Sequence, residues 1–286
     1  MATQTEPEIV LYDLANTKNV CFSPTVWRIR LILNYKQIPY KTIFLEFPDI
    51  EPTLKGLGLV PGESPTGEKH KYTVPAIHHV PTNTHIMDST PIAKFLEATY
   101  PTPSLPLTSE LGRTIEVQAR SVVGPTFRAS VVPREINILS PRSQEYFRRT
   151  REAALGRKLE DLLDAEEESW KAVSEGMRGV GELMRTNKEE GPFVLGAQPS
   201  YTDFFIAGSL QAARVVDEGV FERHMKCAGL IDDMIDSMLG EVKKQSMMHG
   251  ERLTRAKSGS RGETPKKSRR GPDRSRRSAD ERMSRK

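Results

Sequence analysis

The first ordered pattern in the chain is Ile9-Val10-Leu11-Tyr12-Asp13-Leu14, a short apolar run that predicts a buried strand. A polar turn, Asn16-Thr17-Lys18-Asn19, leads to a signposted helix start. Ser23 takes the N-cap position and Pro24 the first helical position, and Val26, Ile29 and Leu33 recur at helical spacing. Lys41–Phe47, with Thr42, Ile43, Phe44 and Phe47, predicts a second strand and completes a β-α-β unit. Residues 48–72 are rich in glycine and proline and read as irregular. Thr73-Val74-Pro75-Ala76-Ile77 is a short strand interrupted by proline, which points to an edge, a bulge or a cis bond. His85-Ile86-Met87 predicts a further strand, running into the cap Asp88-Ser89-Thr90-Pro91 and a helix marked by Ile92, Phe95 and Leu96.

Pro101-Thr102-Pro103-Ser104-Leu105-Pro106 then breaks the pattern and reads as an interdomain linker. Beyond it there are helical signals only. Trp170, Val173, Met177, Val180 and Met184 are spaced three and four apart, with Leu155, Leu159 and Leu162 marking the preceding helix. Ser200-Tyr201-Thr202-Asp203 opens another helix, continued by Phe204, Leu210 and Ala213. From Lys243 onward apolar side chains are too sparse to offset chain entropy, and disorder is expected. The expected organisation is a small α/β domain over 8–100, an all-helical domain over 108–240 and a basic tail over 243–286.

Charge sharpens this division. The 286 residues carry a net +4, but residues 251–286 hold fourteen Lys and Arg against five Asp and Glu, so residues 1–250 are net negative. The basic character belongs to the tail and not to a nucleic-acid-binding fold. No apolar run approaches the roughly 18 residues of a membrane span. The first residues lack the pattern of a secretory signal, and two cysteines are too few for a disulfide scaffold, so a reduced, cytoplasmic setting is expected. Metal-ligand spacings of the CxxC and HExxH kind are absent, and no metal is expected.

The candidate chemistry gathers at the first helix start. A helix N-terminus favours an anion, and the Ser23 hydroxyl there is placed to donate to a bound thiolate. Cys21 is the rival nucleophile, which would make the chemistry disulfide exchange, although a lone cysteine beside a strand is more often a small buried hydrophobe. Val74 and Pro75 offer a backbone edge for an extended peptide. Ser89 and the helix it opens suit a carboxylate, and Asp88 an ammonium. Taken singly, each feature is also an ordinary cap or strand end, and His78 and His79 are read as strand-end residues.

Together and in this order, the motifs resemble the glutathione transferase superfamily, a thioredoxin-like N-terminal domain joined to an all-α C-terminal domain. Ser23-Pro24-Thr25-Val26-Trp27-Arg28 resembles the serine-type active-site helix of the zeta and etherase-like branches. Val74-Pro75-Ala76-Ile77 resembles the family's cis-proline segment, Asp88-Ser89 its γ-glutamyl-binding pair, and Leu195–Phe204 its helical capping motif, with Thr202 where alanine is usual. The resemblance spans about residues 8–240 and is nearest to fungal etherase-like members, some of which sit beside natural-product pathways. It implies glutathione as co-substrate, Ser23 as the thiolate-stabilising group, and Val74, Pro75, Asp88 and Ser89 as binding positions. It also implies a homodimer. Lys71 is a guess for the glycine carboxylate, and the basic tail has no counterpart in the family pattern.

The expected function is a glutathione-dependent transferase, of the thioether-forming or ether- or thioether-cleaving kind, acting on a small, fairly apolar electrophile such as a secondary-metabolite intermediate. Arg120, Phe127 and Tyr201 are candidates for the acceptor side. The alternative is a non-catalytic module of the same fold, docking a protein or RNA partner through the tail clusters Lys266–Arg270 and Arg274–Arg277. Lacking aromatic residues for base stacking, the tail would make only weak, salt-sensitive nucleic-acid contacts.

Overall fold

The computed structural model describes residues 6–62 and 71–230. The expected basic tail lies outside the described residues.

Strand β1 (Ile9–Leu14) is buried along its whole length, as its apolar run predicts. Helix α1 (Pro24–Tyr35) follows, and β2 (Tyr40–Leu45) returns parallel to β1, in register from Ile9 with Tyr40 to Leu14 with Leu45. β3 (Ala76–His79) runs antiparallel to β1, and β4 (Thr84–Met87) antiparallel to β3, giving the order β2-β1-β3-β4. Ile9, Leu11 and Ile77 of the sheet and Ile29, Ile32 and Leu33 of α1 are fully buried and form the centre of this core. The segment expected to be irregular contains a helix, α2 (Ile50–Gly56), anchored by buried Ile50 and Leu54. α3 (Ser89–Thr99) closes the unit by packing on α1.

The proline-rich stretch is a fastened connection and not a loose tether. The Lys36 ammonium has no exposed side-chain surface; it donates to the carbonyls of Tyr100 (2.6 Å) and Pro103 (2.7 Å) and pairs with Glu97 at 2.7 Å. Leu105 is buried, and the Tyr201 N–H donates to the Pro106 carbonyl at 3.0 Å, which tethers the end of the stretch to the helical side.

α4 (Glu110–Thr126) carries Pro125 in its last turn, and the chain widens there into a π-type turn over Phe127–Val131 before the short α5 (Val132–Glu135). Proline cannot supply its backbone donor to the helix, which favours such a local re-registering. α6 (Pro141–Leu155) ends at Gly156, which takes φ +68° as a left-handed cap. That cap splits the helix expected through Leu155, Leu159 and Leu162, and the two later leucines sit on and beside the 3₁₀ turn Glu160–Ala165. α7 (Glu166–Met184) buries the predicted face, and α8 (Tyr201–Val216) and α9 (Glu218–Ala228) complete the bundle. No helix among the described residues is long and apolar enough to cross a membrane.

Candidate active site at the start of α1

The site is built where the loop after β1 turns into α1. The Trp27 indole N–H donates back to the Cys21 carbonyl at 3.0 Å, pinning the loop to the first turn. Ser23 caps the helix from an extended conformation, its hydroxyl 3.5 Å from the Val26 N–H and 3.0 Å from the Thr25 hydroxyl. Thr25 in turn donates to the Val74 carbonyl at 3.4 Å, so the Ser23 hydroxyl is tied through Thr25 to the segment ahead of β3. The Val74–Pro75 peptide is cis, one of the three readings the proline left open.

From Pro75 the connection continues. The Asp88 N–H donates to the Pro75 carbonyl at 3.1 Å, and the Thr73 hydroxyl donates to Asp88 Oδ1 at 3.0 Å. Asp88 takes φ +75°, a region uncommon for a residue with a side chain, and its carboxylate is exposed. Ser89, half-exposed, opens α3 directly after it. The structure therefore brings Ser23, Val74, Pro75, Asp88 and Ser89 to adjoining segments along one rim. Thr25, to which the sequence reading gave no role, is the link between its two halves.

Cys21 does not share this setting. It is fully buried, and burial together with the neighbouring Asp13 carboxylate pushes its thiol well above the ordinary range. Asp13 is itself held by Arg30 at 2.9 Å. A buried thiol facing a carboxylate is the reverse of the electropositive surroundings that make a nucleophile.

Next to Ser23 a cavity of about 320 Å³ opens between α1 and the helices α4, α7, α8 and α9. Pro24, Thr25 and Arg28 form one wall, and Val123, Phe127, Met177, Phe205 and Leu210 contribute to the other. α1 and α8 meet closely because residue 208 is glycine: a Cβ there would lie 3.0 Å from the Pro24 carbonyl oxygen and 3.2 Å from the Arg28 nitrogen. Of the acceptor-side candidates, Arg120 and Phe127 line the cavity, whereas Tyr201 sits behind it as a hydrogen-bond neighbour of Arg28. Lys71 belongs to a second groove of about 870 Å³, shared with Val74, Tyr72, Tyr146 and Arg151.

α8 is fixed at its N-terminus by buried Asp203. One carboxylate oxygen accepts from the Ser200 N–H (2.7 Å) and hydroxyl (2.6 Å), and the other from the Val194 N–H (2.8 Å). This is the capping motif seen in the sequence, here closing the loop Val194–Ser200 onto the helix.

A four-stranded sheet flanked by helices, a cis-proline segment facing a capped helix start, and an all-helical second half define a two-domain protein of thioredoxin-like and all-α parts. Residues 22–99 match the glutathione S-transferase N-terminal domain family and residues 112–245 the glutathione S-transferase C-terminal domain family. The chain belongs to the glutathione S-transferase superfamily. It is 33% identical over 225 residues to the glutathione S-transferase-like protein ustS of Aspergillus flavus, covering 72% of this chain and 80% of that protein. The fold is similar to glutathione transferase GSTFuA2 of Phanerochaete chrysosporium (TM-score 0.69, 31% identity, 83% of this chain and 98% of that one). It is also similar to CsGST83044 of Ceriporiopsis subvermispora, solved in complex with glutathione (TM-score 0.70, 29% identity, again 83% and 98%).

Proposed function

We propose that the protein binds glutathione along the Ser23–Val74–Asp88 rim and transfers its sulfur to a small electrophile held in the cavity beside α1. The observation that carries this reading is the tie from the Ser23 hydroxyl through Thr25 to Val74, at a helix N-terminus that opens onto an apolar cavity. The residues fit the tripeptide by chemistry. The exposed Asp88 carboxylate suits the γ-glutamyl ammonium, Ser89 and the start of α3 suit its carboxylate, and the backbone at Val74 suits an extended peptide.

Ser23 acts on the thiol. Its hydroxyl turns from Thr25 to donate to the sulfur, and the positive end of α1 favours the anion. A free thiol titrates near ~8.5, and one or two charge-assisted hydrogen bonds lower that by about one to two units. The thiol proton leaves to solvent. The sulfur then attacks an electrophilic carbon, forming a C–S bond as the bond to a leaving group breaks and that group departs with the electron pair. With an aryl ether the leaving group is a phenolate, with an activated alkene the carbanion is protonated. The cavity holds the acceptor within reach of the sulfur, which supplies the proximity term. The family's habit of pairing subunits extends to a proposed homodimer, and domain limits of 8–100 and 108–240 suit the two functional halves.

Calorimetric titration of the full chain with glutathione tests the reading. Saturable binding is expected, weakened at least tenfold by Asp88→Ala, while Ser23→Ala retains binding but lowers turnover at least tenfold and raises the pH at which bound thiolate absorbance appears. No heat at millimolar glutathione, or unchanged turnover in Ser23→Ala, would overturn it.

A further inference from the structure

The cavity is apolar, yet its charge is one-sided. Its ionisable lining residues are Arg28, Arg120 and His224, with no Asp or Glu among them. The His224 imidazole is buried, and burial pushes it down to about 4, so it is neutral in the working range. Arg28 is only 7% exposed, makes no ion pair with a carboxylate among the described residues, and leaves its Nε without a hydrogen-bond partner. The Tyr201 hydroxyl neighbours it, and the Glu116 carboxylate acts on it from farther off. Arg120 is served by Glu116 at 3.8 Å, while Glu116 also accepts from the Thr202 hydroxyl at 3.0 Å. Both guanidinium groups stack on one ring, Arg28 at 4.4 Å and Arg120 at 4.7 Å from the Phe205 centroid.

Two guanidinium groups thus share one aromatic ring and one outlying carboxylate. Arginine keeps its charge under these conditions, and a buried cation short of a counter-ion is costly unless something else supplies the anion. An apolar space with convergent donors selects a ligand that is greasy over most of its surface and anionic at one end. Guanidinium is also the group best suited to a planar oxyanion and to stacking on a ring at the same time.

We propose that the acceptor is a carboxylic acid on an aromatic or alicyclic body, its carboxylate received by Arg28 and Arg120 across Phe205 while the body fills the space between Val123, Met177 and Leu210. The acceptor role rests on the transferase reading above.

Equilibrium titration with 2-naphthoate and with 2-naphthamide, which share one shape and differ by one charge, isolates the preference without requiring turnover. With saturating glutathione, the acid is expected to bind at least tenfold more tightly than the amide. Arg120→Gln, on a largely exposed side chain, should bring that ratio below threefold, and Arg28→Met should abolish it. Equal affinities in the unaltered protein, or a ratio that neither variant moves, would overturn the proposal. So would competition between naphthoate and glutathione, which would put the acid on the tripeptide's own carboxylate positions. Glutathione binding without acid preference overturns this inference alone. Acid preference without glutathione binding overturns the transferase reading and the acceptor role with it.

Discussion

The two walls that meet at α1 are made of different materials. Apart from Arg28, which it sends into the cavity, the N-terminal wall works with backbone groups and small polar groups: the Ser23 cap, the Val74–Pro75 peptide and Asp88 at φ +75° are all features of a few neighbouring residues. The helical wall works with large side chains drawn from α4, α7, α8 and α9, far apart in the chain and brought together by packing. On the proposed function, one wall takes a peptide's hydrogen-bonding groups, which every such peptide has in the same places. On that reading the other selects by shape and charge, which can be re-specified by changing side chains and leaving the backbone alone. This is the division a transferase needs when its donor is constant and its acceptor varies.

The largest expected effect lies in the helical wall, at the carboxylate that anchors α8. Burial pushes the Asp203 carboxyl up, but three donors hold it at 2.6–2.8 Å. Asp203→Ala leaves the Val194 and Ser200 N–H groups buried without partners, at a cost of about 3 kcal/mol or more. For a protein of this size that lowers Tm by roughly 6–12 °C. Thermal unfolding followed by circular dichroism measures it. A drop of only a degree or two would mean that packing, not the cap, holds α8 against α1.

The contrast between the walls also explains what the sequence disclosed. β1, the Ser23 cap and the Ser200–Asp203 cap were legible because each is a local solution to a backbone problem, written in residues within a few positions of one another, whereas Asp88 takes the expected N-cap position without a side-chain capping bond and accepts from Thr73 instead. The cavity was not. Arg28, Arg120 and Phe205 stand far apart in the chain, and their meeting depends on Gly208 letting α8 approach α1, which no local pattern announces. Thr25 escaped notice for a related reason, since its partner is the carbonyl of Val74. α2 was hidden by the glycines and prolines around it, although Ile50 and Leu54 carry a helical spacing. The single helix read through Leu155 and Leu162 failed because Gly156, compatible with either continuation or termination, takes a left-handed turn.

A smaller effect separates the walls by pH. His224 lies in the helical wall, with Nδ1 donating to the Val220 carbonyl at 2.8 Å and Nε2 within 3.0 Å of the Thr126 hydroxyl. Its folded value of about 4 lies below the ordinary 6.5 because burial disfavours the imidazolium. As pH falls below 6.5 the unfolded chain takes up this proton before the folded one does, so stability is lost, by up to about 3 kcal/mol near pH 4. Urea midpoints at pH 7 and pH 4.5 should show the loss, and His224→Gln should flatten that part of the profile even if it lowers stability at pH 7. An equally steep profile in the variant would assign the acid sensitivity to carboxylates elsewhere.

The smallest effect concerns the residue two positions before Ser23. Cys21 and Ser23 share one loop, and both are buried, but they face opposite ways electrically. Cys21 looks inward to the Asp13 carboxylate, where a thiolate would meet like charge in a medium that cannot screen it. Ser23 stands at the positive end of α1, the end of a helix that favours an anion. The protein's own thiol is therefore kept protonated, and on the proposed function the site acts on a thiol that arrives from outside. Cys21→Ala should change turnover by less than twofold, with at most about 1 kcal/mol of stability lost as a small buried group is removed. Alkylation of the native protein with iodoacetamide at pH 7.5 should mark half-buried Cys227 and spare Cys21. Rapid labelling of Cys21, with loss of turnover in Cys21→Ala, would reverse the assignment of the two residues and make the loop a disulfide-exchange site.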